Sequence, residues 1–137
     1  YHVMWRVAFE PGEVKVVARK DGKQVGEQTI RTAGAPHHIV LKKTYQGTLA
    51  FGTSDPTTFV EVQVVDKDGN LCPNADNQIF FSSDAKILGT DNGCQTSLER
   101  FTDPHRKAFF GKCVVVLKGK GTLTAKAVDL QQAQIQL

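Results

Sequence analysis

Apolar and polar residues alternate with a period of two wherever this chain shows a pattern at all, and strand is the element such alternation predicts. Val3, Trp5, Val7 and Phe9 fall on one face, while His2, Met4, Arg6 and Glu10 fall mostly on the other. Pro11-Gly12 interrupts the run, Val14, Val16 and Ala18 then alternate with Lys15 and Arg19, and Asp21-Gly22 reverses the chain into a third strand over residues 23–32. The expected product is a three-stranded antiparallel meander with too little apolar surface to stand alone.

Thr32-Ala33-Gly34-Ala35-Pro36 combines small residues with a proline that pushes Ala35 into an extended conformation, and marks a domain boundary. Residues 1–34 read as the C-terminal strands of an incomplete preceding sandwich and residues 35–137 as a complete domain. Strands are expected at 38–41 and along Val60, Val62 and Val64, with Glu61 and Gln63 facing the other way. After a turn at Asp68-Gly69 they recur at 79–81, 86–90, 107–110, 113–117, 122–127 and 132–137. Short strands separated by Gly, Pro, Asn and Asp clusters are the pattern of an immunoglobulin-like antiparallel β-sandwich, so the fold class is all-β. Leu123, Ala127, Leu130 and Gln134 could lie along a helical stripe, but Ala133, Ile135 and Leu137 alternating with Gln132, Gln134 and Gln136 favour a final strand with a glutamine-lined solvent face. The echo between Val14-Lys15-Val16-Val17 before Lys20-Asp21-Gly22 and Val62-Gln63-Val64-Val65 before Lys67-Asp68-Gly69 reads as a shared hairpin solution rather than a duplication.

At 137 residues the chain can bury one sizeable core but cannot hold a large catalytic barrel. Its net charge of +3 is scattered rather than gathered in a block, which gives no support to nucleic-acid binding. The longest purely apolar run, from Cys113 to Leu117, falls far short of the roughly 18 residues of a membrane span, so a soluble protein with no membrane partner is expected. The sequence opens at Tyr1 inside a strand-like pattern, as expected of a segment whose targeting signal, if any, lies upstream. Cys72, Cys94 and Cys113 are odd in number and have no CxxC spacing, and Cys113 reads as a plain buried thiol.

Candidate chemistry is sparse. Asp66, Asp68 and Asn70 have the spacing that opens a calcium loop, but Leu71 stands where its turn needs Gly and Asn77 where a bidentate Glu is required, so a hairpin turn is the preferred reading. His37 and His38 are neighbours and would point to opposite faces of a strand, His2 and His105 lack ligand-spaced companions, and neither a metal site nor a cofactor is expected. Glu99 and Asp91 are the only tempting carboxyl pair for glycoside hydrolysis, and turn formation and solvation explain them more cheaply. Cys94 and His105 share a loop and nothing more. Trp5 could stack on a sugar, but its register with Val3, Val7 and Phe9 favours core packing. The long segment 89–106, rich in hydrogen-bonding groups, is the candidate contact loop, with Asp91, Asn92, Glu99 and Arg106 as its candidate residues. Docking against another domain is preferred there, ahead of simple loop packing and sugar binding.

Taken in order, Pro11-Gly12-Glu13-Val14, Lys20-Asp21-Gly22, Thr32-Ala33-Gly34-Ala35-Pro36, residues 62–77, Gly89-Thr90-Asp91-Asn92-Gly93 and Arg106-Lys107-Ala108-Phe109-Phe110-Gly111 resemble the C-terminal sandwich region of glycoside hydrolase family 2 enzymes, β-galactosidase-like members in particular. The resemblance implies a parent in which a catalytic barrel is followed by two β-sandwich domains, with the catalytic glutamates in the barrel and none in this chain. It implies structural support of, or docking to, that barrel and a periplasmic or secreted parent acting on polysaccharide. Carbohydrate binding and an immunoglobulin-like spacer of a bacterial surface protein are the competing functions. The apolar face bearing Trp5 and Phe9 is expected to be covered by the second sandwich or by another copy of the chain.

Overall fold

The computed structural model describes residues 2–48 and 55–137, and every regular element among them is a β-strand. The chain divides into two compact units, Tyr1–Thr32 and Ala33–Leu137.

The first unit holds one antiparallel hairpin, β1 (Glu13–Lys20) and β2 (Lys23–Arg31). Asp21 and Gly22 connect them with φ of 50° and 76°, the type I′ geometry that Asp-Gly favours because both central residues are left-handed. Lys15 pairs with Glu27 at 2.8 Å and Arg31 with Glu13 at 2.7 Å, across the ladder. The first strand of the expected meander, over Val3, Trp5, Val7 and Phe9, is not formed. Those side chains are exposed, Trp5 by 66%, so the core-packing reading of Trp5 is also corrected. Alternation says which face a strand would bury, but burying it takes a second layer, and residues 2–10 pair with neither edge of the hairpin.

The second unit is a sandwich of two four-stranded antiparallel sheets. One has the order β3 (His38–Gly47), β4 (Thr57–Val65), β8 (Lys112–Lys118), β6 (Lys86–Asp91). The other has the order β10 (Ala133–Gln136), β9 (Thr122–Lys126), β5 (Gln78–Ser83), β7 (His105–Lys107). Alternate residues of each strand meet in one core: Val60, Val62, Val64, Val115 and Leu117 from the first sheet against Ile79, Phe81, Leu123 and Ala125 from the second. β7 lies two residues earlier than expected, because 108–111 turn the chain from the second sheet into the first. The glutamine face of β10 forms as expected, with Gln134 and Gln136 donating to Thr124 and Thr122 of β9.

Both sides of the sandwich are stitched. On one, Ile39 donates to the Gln131 carbonyl and Gln131 to that of His37, joining the β3 edge to the segment entering β10. On the other, the loop from β6 to β7 lies along the edges, Thr90 N–H donating to Phe101 and Phe81 N–H to Pro104. At one end, Asp66 is buried and acts as a hub. It accepts from the N–H groups of Gly34, Asp68 and Asn70 at 2.8 to 2.9 Å, and from the Asn70 amide.

Candidate functional site

The loop joining β6 to β7 is organised from behind by Arg106. Its place between His105 and Lys107 on β7 puts its side chain inside the sandwich, where it is only 1% exposed. The guanidinium donates to the carbonyls of Thr90 at 2.8 Å, Arg100 at 2.9 Å and Glu99 at 3.2 Å, and lies 5.4 Å from the Phe101 ring centroid. A fixed planar fork suits this task, since its donors reach carbonyls of the loop and of the β6 strand end at once. The carboxylate of Glu99 completes the inner side, 3.7 Å from Arg106, accepting from Gln78 at 2.9 Å and from the Lys107 N–H at 3.1 Å. Partial burial raises the Glu99 pKa, but the hydrogen bonds from Gln78 and Lys107 and the charge of Arg106 outweigh it and hold the carboxyl below its ordinary range.

Asp91 and Asn92 sit at the start of the same loop. Asp91 Oδ1 accepts from the N–H groups of Asn92 and Gly93, and Asn92 bridges from the Cys94 N–H to the Lys107 carbonyl. The structure thus brings Glu99 and Arg106 together and places Asp91 and Asn92 in the loop's first turn, all four committed to neighbours within the domain. Among the polar residues the loop exposes, Gln95, Thr96, Arg100 and Thr102, stand two large apolar ones: Leu98 is 99% exposed and Phe101 65%. Sequence reasoning passed over both. Arg106 shares the inner face with the buried Ala108 two residues on, a register that the mixed residues from 105 to 110 do not signal.

Other candidate groups are accounted for locally. The Asp66 carboxylate is filled by N–H donors, Gly34 first, which hold its pKa far below the usual range. His37 and His38 do not point to opposite faces: His37 precedes β3, and the irregular backbone there brings the two Nδ1 atoms to 3.1 Å. Among the described residues no group of three or more His, Cys, Asp or Glu is placed to hold a metal ion. All three cysteines are free, and burial pushes the Cys113 thiol up to about 12.

A family model described as glycoside hydrolase family 2 C-terminal domain 5 matches residues 41–136, and one described as a domain of unknown function (DUF4982) matches residues 1–26. The chain is 47% identical to the β-galactosidase BoGH2A of Bacteroides ovatus over 143 residues, an alignment covering 99% of this chain and 17% of that protein. Among solved structures it resembles a β-glycosidase from Bacteroides vulgatus, with a TM-score of 0.84 and 33% identity over 97% of this chain and 18% of the other. A glycosyl hydrolase family 2 member from Bacteroides cellulosilyticus gives 0.83 and 28%, covering 97% and 19%. The chain spans less than a fifth of the length of each of these relatives.

Proposed function

The chain belongs to glycoside hydrolase family 2, as a C-terminal domain of a β-galactosidase-like enzyme, and from that premise we propose that it is a non-catalytic accessory module that supports and docks to the rest of its parent, the catalytic barrel included. The observation carrying this reading is that the 92–104 loop is fixed from behind by Arg106 and Glu99 while it holds two large apolar side chains, Leu98 and Phe101, in solvent among polar neighbours. A loop fixed from behind loses little conformational freedom on contact, and apolar groups held in water gain most from being covered. The chain's length, 17% of the B. ovatus relative, leaves ample parent sequence to form the opposing surface.

We propose further, from the family resemblance alone, that the parent works in the periplasm or outside the cell. The exposed apolar residues of the first unit, Trp5 and Phe9 among them, are then covered in the parent by adjoining sequence, and in the isolated chain they favour self-association. The test is a Leu98→Asp variant, at the fully exposed position, made in the full-length parent and in the 137-residue chain. The parent is expected to melt several degrees lower and the isolated chain to be unchanged; equal melting of both parents would reject docking through this loop.

A further inference from the structure

The outer face of the sheet edge formed by β5 and β7 carries a row of side chains of which two, Gln78 and His105, also touch Glu99 of the loop, while neither the core nor the loop explains the others. Gln78 stands opposite Lys107 and Phe80 opposite His105. The Ala108 N–H, donating to the Asn77 carbonyl, carries the ladder one pair further, so that Asp76 lies beside Phe109. Alternate residues share a face, so these six point outward while Ile79, Arg106 and Ala108 point into the core. From His105 to Phe109 the row runs on the order of 13 Å at the usual rise per residue.

Aromatic rings stand at both ends, Phe80 being 49% exposed, and the middle is polar. Lys107 Nζ lies 2.7 Å from Asp76 Oδ2, and Gln78 donates to Glu99 while lying 3.0 Å from His105 Nδ1. Phe110 extends the Phe109 end. Phe109 and Lys112 exchange both backbone hydrogen bonds around the two-residue turn Phe110-Gly111, whose φ values are 49° and 74°. This type I′ turn favours Asn-Gly. Gly111 is required, since a Cβ there would overlap the Cys72 carbonyl oxygen. Phe110 is not required by the turn: it is a bulky residue at a left-handed φ, 65% exposed, its ring centroid 4.4 Å from that of Phe109. Asparagine would relieve the strain and the exposure together, so turn formation does not account for the phenylalanine.

We propose that this face is a carbohydrate-binding platform for an extended oligosaccharide. The rings of Phe80 and of Phe109 with Phe110 stack on the C–H faces of pyranose units, and Asp76, Lys107, Gln78 and His105 between them meet the hydroxyls. An apolar protein surface would match the rings but would strip water from the Asp76–Lys107 pair, whereas a sugar offers both a C–H face and hydrogen-bonding groups.

The test is affinity electrophoresis of the full 137-residue chain through gels containing soluble β-galactan, hydroxyethylcellulose or dextran. Retarded migration in at least one is expected, with retention weakened about tenfold by Phe110→Asn and by Phe80→Ser while the Phe110→Asn melting temperature holds or rises. Unretarded migration in all three gels would overturn the proposal, as would retention that both variants leave intact. A Phe110→Asn chain that binds no glycan less well, yet destabilises the full-length parent, would assign the face to protein docking instead.

Discussion

At the scale of single residues the side chains that matter most are polar ones placed where the strand pattern expects apolar ones. Arg106 occupies an inner position of β7 and is tolerated there because two loop carbonyls, the Thr90 carbonyl of β6 and one carboxylate surround it. Removing it would leave those acceptors without a donor and Glu99 without its nearest cation. Arg106→Leu is therefore expected to cost about 3 kcal/mol in urea denaturation, with Arg106→Lys recovering little because an ammonium cannot span three diverging carbonyls. The residues singled out from the sequence, Asp91, Asn92, Glu99 and Arg106, do gather at one loop and the strand ends it joins, but composition alone could not say that their polar atoms turn inward. That depends on the register of β7, which a run of mixed residues from 105 to 110 does not fix.

At the scale of elements the sequence was legible wherever alternation coincided with a partner. The strands over 60–64, 79–81, 86–90, 113–117 and 122–127 all appear, because β-branched and apolar residues at every second position match a sheet buried on one face. The pattern over Val3 to Phe9 is as clear as any of these and yields no strand, although β1 and β2 each leave an edge open, since no second layer is there to bury the apolar face that pairing would create. The same logic predicts a gradient of local stability. Amides of β4 and β8, each flanked by strands on both sides, should be the slowest to exchange with solvent, whereas those of β1 and β2, a two-stranded hairpin with no core, should exchange almost as fast as unstructured peptide. Hydrogen exchange followed by mass spectrometry reads both; slow exchange across residues 13–31 in the monomeric chain would contradict this account.

At the scale of the whole molecule, carboxylates tie the fold to pH. Asp66 is held below its ordinary value of 3.8, first by the Gly34 N–H, and Glu61, Asp76 and Glu99 are likewise lowered by their hydrogen-bond partners and neighbouring cations. A depressed folded-state value means that the unfolded chain takes up protons first. The stabilisation is then fully present above the unfolded values and is lost as pH falls through the folded ones. Thermal unfolding followed between about pH 2 and 7 should show a plateau down to roughly pH 5 and a decline below it, and Asp66→Asn should flatten that decline. The stitched sides of the sandwich bear on a different property. The loop lines the edges of β6 and β7, but β3 is tied to the entry of β10 only through His37 and Ile39 among the described residues, so fibril growth, where it occurs in the isolated chain, would be seeded from the rest of the β3 edge or from the bare hairpin of the first unit.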